Sequence, residues 1–166
     1  MKRIVLVILS VAFFLVMVSV MGVLDRNTWT TCRSLSRALQ DARSVTLVEY
    51  ARKVDIVRRT ATPDEISRLR NMTRMWWRPF LPTSGYLCFE AHHRTEIVNR
   101  DGTESSSAIS FLCEQFIIEN GSSPVPLPRY LKESLRAFFT SAGMAPKTYE
   151  EYSTLERSGR DAGLRP

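Results

Sequence analysis

The chain is poor in the residues on which most enzyme signatures are built. Its 166 positions include only two histidines, three cysteines and seven glycines. There is no GxGxxG, no GxxxxGK followed by Ser or Thr, no GxSxG, no HExxH, no CxxC and no calcium-loop pattern. The common dinucleotide, P-loop, hydrolase-elbow and zinc-protease chemistries therefore have no visible foothold. Both histidines stand side by side at 92 and 93, which gives acid–base catalysis little to work with. Three cysteines are too few for a disulfide-framework miniprotein. Seven glycines and eight prolines exclude a collagen-like or linker-dominated chain. Strong charge is missing as well. All 17 acidic residues and 21 of the 23 basic ones follow residue 24, so that part carries only about +4. That is mild for an obligate nucleic-acid binder, and no nucleic-acid partner is expected.

What the chain does have is an unbroken apolar run over residues 4–24, after a Met1-Lys2-Arg3 start. As a helix, its 21 residues at 1.5 Å each reach about the thickness of a hydrocarbon core. A cleaved signal has a shorter apolar core and a small-x-small site, and Val20-Met21-Gly22 is a poor one. Residues 1–24 therefore read as a signal-anchor or transmembrane helix, residues 25–146 as a soluble domain, and residues 147–166 as a flexible tail. Lys2 and Arg3 favour a cytoplasmic start, whereas Arg26, Arg33, Arg37 and Arg43 on the far flank argue the other way. Long domains translocate largely regardless of charge. The domain is accordingly expected outside the cytoplasm, at a bacterial cell envelope, with the membrane itself as a partner.

Along the domain, Asn27 or Thr28 can cap a helix to about Ala42, with Leu35, Ala38, Leu39 and Ala42 on one stripe. Residues 45–50 (VTLVEY) read as a strand and residues 54–57 as a weaker one. Thr62-Pro63-Asp64-Glu65 is a capping box with proline at the first helical position, and the helix should stop before Arg78-Pro79. Residues 86–98 and 108–118 are two strand candidates joined by the turn sequence Asn99-Arg100-Asp101-Gly102. Residues 120–128 are a loop, and residues 130–142 an amphipathic helix ended by Gly143 and Pro146. The order predicts an α+β fold: an N-terminal transmembrane helix, then a small antiparallel sheet with about three helices packed on it.

The chemistry is concentrated in the hairpin. A turn centred between Arg100 and Asp101 sets Cys88 opposite Cys113, within one residue for a bulge at Gly102. Alternation puts Glu90, His92 and Arg94 on the face of Cys88, with Phe89 and His93 on the other. Three readings stay open. Cys88 and Cys113 form a disulfide in an oxidising compartment. They are buried reduced thiols that pack as small hydrophobes. Or Cys88, His92 and Cys113 ligate a metal such as zinc, with Glu90 nearby. Against the last, Cys-x3-His on a strand is an uncommon ligand spacing, and zinc prefers four ligands. Direct Cys88–His92 catalysis is disfavoured, because four residues of strand span about 13 Å.

Two further surfaces stand out. Arg58, Arg59, Arg68, Arg70, Arg74 and Arg78 cluster near Trp76-Trp77. Arg68, Arg70, Arg74 and Trp77 would form an anion- or partner-facing patch, unless they are simply a solvated helix face beside core aromatics. Cys32 has no sequence partner; it could join two copies covalently or be an ordinary helix thiol.

The stretches A-R-S-V-T-L-V-E-Y, T-P-D-E-I-S-R-L, C-F-E-A-H-H-R and F-L-C-E-Q-F, over about residues 35–145, resemble a scattered group of small bacterial proteins bearing an N-terminal signal or anchor. The resemblance implies no activity. Members tend to carry Cys-Phe-x-Cys in the second strand. Here Glu114-Gln115-Phe116 follows Cys113, so the second cysteine is absent and the metal reading weakens. Together these features point to a membrane-anchored extracytoplasmic binding or structural domain and lean away from catalysis. The alternatives are a metal-binding or redox-sensing domain on Cys88, Cys113 and His92, or an accessory subunit docking on another membrane protein.

Overall fold

A ten-residue strand, Ala42–Ala51 (β1), is the axis of the fold. The computed structural model describes residues 10–13, 26–51, 54–74, 89–118 and 123–161. The helix Arg26–Asp41 (α1) leads directly into β1, which pairs antiparallel with Val54–Thr60 (β2) on one side. The chain then crosses through the helix Pro63–Thr73 (α2) to place His93–Asn99 (β3) on the other side of β1. Glu104–Ser110 (β4), Gln115–Ile118 (β5) and Val125–Pro126 (β6) extend the sheet as an antiparallel meander. The strand order is β2-β1-β3-β4-β5-β6. Arg129–Ser141 (α3) and Tyr149–Asp161 (α4) complete the described chain.

The core follows from strand alternation. Val45, Leu47, Ile97, Ile109 and Phe116 share one cluster with Leu35 and Leu39 of α1, Ile66 and Leu69 of α2, and Leu131, Leu135, Phe138 and Phe139 of α3. Three helices thus bury one face of a six-stranded antiparallel sheet, an α+β fold. Local chemistry sets the helix ends. The amide of Glu65 donates to Thr62 Oγ1 at 3.3 Å, and the amide of Thr62 donates to Glu65 Oε2 at 2.8 Å. Where α1 passes into β1, Arg70 donates to the carbonyls of Leu39 and Ala42 at 2.8 and 3.0 Å, satisfying a terminal helix acceptor and the first strand carbonyl.

Several expectations need correction. No helix among the described residues is long and apolar enough to cross a membrane. Of the apolar run only residues 10–13 are described, a short helical stretch in which Val11 and Phe13 are exposed. The hairpin register pairs His93 with Ile109 and Thr95 with Ser107, within the one residue allowed for a bulge at Gly102. A three-residue loop causes this. Asn99 N donates to Thr103 O at 2.9 Å, and Gly102 closes the loop at φ +83°. The expected strand 108–118 is broken by a turn at 111–114, with Glu114 at φ +53°. Where a flexible tail was expected, α4 is a helix that packs against β1, with Tyr152 only 3% exposed.

Candidate functional site

Both histidines meet the segment that connects α3 to α4. His93 lies on the helix-covered face between Phe111 and Phe139, at ring-centroid distances of 5.2 and 4.7 Å. Its Nε2–H donates to the Met144 carbonyl at 2.9 Å. Burial, the leading cause, pushes its pKa down to about 4. His92 precedes β3, and its Nδ1–H donates to Tyr50 O at 3.2 Å. The ring stacks on Tyr152 at 3.7 Å with an interplanar angle of 9°. That leaves His92 Nε2 buried with no hydrogen-bond partner among the described residues, and Glu90 Oε1 lies 3.8 Å away. Burial holds His92 below its ordinary value, against the opposing pull of Tyr50 O, Glu90 and Glu49.

The third anchor is Glu49 on β1, 1% exposed and in register with His93. Lys147 Nζ donates to its carboxylate. A buried carboxylate is costly unless paired, and the ammonium supplies the counter-charge. Lys147 also lies 5.8 Å from the centre of the Tyr152 ring. Burial raises the Tyr152 phenol well above its ordinary value. Glu49, His92, His93, Lys147 and Tyr152 therefore form one polar knot between the sheet and the C-terminal segment.

A second polar site lies on the opposite face of the sheet. Arg58 on β2 pairs with Asp55 and with Glu96 of β3, and Arg94 reaches Glu96 at 2.9 Å and Asp55 at 3.8 Å. The four charges close an alternating ring across β1. Val48, in register with both Arg58 and Arg94, is fully buried between those strands. Arg94 sits 5.4 Å from the centre of the Tyr50 ring. Beside the ring is a groove of about 500 Å³, lined by Thr46, Arg58, Glu96, Val98, Ser105 and Ser106.

The sequence candidates scatter. Cys88 and Trp77 lie outside the described residues, as does Trp76. Cys113 is 3% exposed, sits in the turn after β4 and is disulfide-bonded. Its expected partner across the hairpin, Cys88, lies outside the described residues, so the placement of the two cysteines opposite each other is not among the described contacts. Among the described residues, no three His, Cys, Asp or Glu side chains gather as a metal-ligand set. Cys32 is reduced and packs into the core at 3% exposure. The arginines are largely engaged within the domain. Arg70 caps α1, Arg59 pairs with Glu65 at 2.6 Å, and Arg68 meets Ser141 Oγ at 3.1 Å and the Phe138 ring at 5.5 Å. Arg74 is exposed at the end of α2.

Glu49, Lys147 and Tyr152 escape the sequence reading altogether. One signal could have found the last two. Thr148-x-x-Glu151 is a second capping box, with Glu151 Oε2 accepting from Thr148 N at 2.6 Å and Glu151 N donating to Thr148 Oγ1 at 3.3 Å. No family model, no curated protein and no solved structure matches this chain.

Proposed function

We propose that this chain is an extracytoplasmic binding or structural domain that works without catalysis, and that the sheet face opposite α1, α2 and α3 is its binding surface. The ring of Asp55, Arg58, Glu96 and Arg94 beside a groove of about 500 Å³ carries the reading. A face that alternates charge and adds the hydroxyls of Thr46 and Ser106 suits recognition of a polar partner, with complementary charge fixing its register. Two observations support the absence of catalysis and the compartment. Both imidazoles are engaged in holding the C-terminal segment, one through a carbonyl and one through a stack. Cys113 is disulfide-bonded, as suits an oxidising compartment. Cys88 is the partner we assign to it, since Cys32 is reduced and the chain has three cysteines.

Photo-crosslinking in cells tests the surface. A crosslinking residue in place of Ser106 should yield a discrete adduct, and Arg58→Ala or Arg94→Ala should reduce it at least fivefold. The same crosslinker at Glu133, exposed on α3, should yield none. No adduct at position 106, or one indifferent to both arginines, contradicts the assignment.

A further inference from the structure

The segment from Met144 to Tyr152 enters the domain much as a bound ligand would. Lys147 places an ammonium against the carboxylate of Glu49, which is 1% exposed. Tyr152 lays its ring on His92 at 3.7 Å, nearly parallel, and both residues are 3% exposed. The receiving groups belong to β1 and to the position before β3. The inserted groups come from beyond α3, with Lys147 98 residues from Glu49 in sequence. The Thr148–Glu151 capping box starts α4 between them and sets the spacing, so the ring follows the cation by five residues. Past Tyr152, Thr154, Arg157 and Ser158 are exposed, and no residue of 153–158 is fully buried. Each recognition element is chemically specific, a buried carboxylate for an ammonium and an imidazole face for an aromatic ring.

We propose that the Glu49–His92 end of the sheet is a binding site for a peptide segment that presents a lysine and, five residues later, an aromatic ring, and that this chain's own Met144–Tyr152 segment fills it in cis. The site is separate from the charged sheet face, so either assignment can fail while the other stands. A tether as short as the one between α3 and Lys147 holds its segment at an effective concentration of about millimolar or more. A competing peptide therefore meets a closed site in the intact chain and an open one when the segment is released.

Two full-chain experiments test this. In the first, Lys147→Ala combined with Tyr152→Ala releases the segment, and a fluorescent peptide of residues 144–161 is titrated by anisotropy. The doubly substituted chain should bind that peptide at least tenfold more tightly than the unaltered chain, and adding Glu49→Gln should remove most of the gain. In the second, which keeps every site residue, a protease site is inserted between Ala145 and Pro146 and cut. The C-terminal fragment should stay attached and be displaced by the 144–161 peptide, but not by the same peptide with alanine at 147 and 152. The proposal is overturned if the released, still-folded chain fails to bind, if binding ignores Glu49, if the cut fragment leaves at once, or if both peptides displace it equally.

Discussion

Glu65 performs two tasks with one carboxylate. It caps the amide of Thr62 and pairs with Arg59, which itself donates to the carbonyl of Ala142 at 3.1 Å. The Arg59 guanidinium, ahead of the Thr62 amide, holds the Glu65 carboxyl well below the usual carboxylate range, at about 2. A carboxylate depressed on folding adds stability above its ordinary value of 4.5, and that stability is lost as pH falls from about 4.5 to about 2. Glu65→Gln should flatten the urea-midpoint profile across that window, leaving higher pH unaffected in shape. His93 acts in a higher window. Its folded value of about 4 lies below the ordinary 6.5, so its contribution is complete above 6.5 and falls away between there and about 4. A single proton sets a limiting slope of about 1.4 kcal/mol per pH unit. His93→Gln keeps a donor for the Met144 carbonyl and removes the titration. Urea melts of that variant should show a shallower slope between pH 6.5 and 4, at a lower overall stability.

At the scale of elements, local chemistry was legible and distant chemistry was not. The Thr62 capping box starts α2 as its sequence implies, because every partner lies within three residues. Gly102 marks the β3–β4 loop because positive φ is costly for any other residue type. The space beside it is open, so Gly102→Ala should cost about 1 kcal/mol through backbone strain alone, measured by denaturant melting. The turn at 111–114 carries no glycine, proline or asparagine. Its positive φ at Glu114 is supported by Lys132, 18 residues away at 2.7 Å, and by the Leu127 amide at 2.7 Å. Nothing near residues 111–114 announces that. The candidate site divides the same way. The adjacent histidines drew attention, but Met144 is 51 residues from the histidine it holds, and the pairing of Lys147 with Glu49 is longer still. α4 sits between these cases, since its Thr148–Glu151 box is local and readable. Thr148→Ala should cost about 1 kcal/mol of helix stability and raise hydrogen–deuterium exchange across 149–161 before it does so in β1.

For the whole molecule, a six-stranded antiparallel sheet carries three helices on one face and a ring of paired charges on the other. On the proposed reading, that division separates stability from recognition. Core residues such as Phe138, Phe139 and Leu47 hold the first face, while Arg58, Arg94 and their carboxylates display the second. The surface ion pairs themselves add little to stability. Their value on this account lies in what they recognise outside the cytoplasm. The most direct measurement is the thiol state of the full-length protein inside its native cells. Cells are quenched in acid, the chain is denatured and alkylated without reductant, and the product is weighed by mass spectrometry. An exported, oxidised domain gives a single alkylated thiol, at Cys32, with Cys88 and Cys113 protected until reductant is added. Alkylation of all three cysteines would place the domain in a reducing compartment and contradict the account.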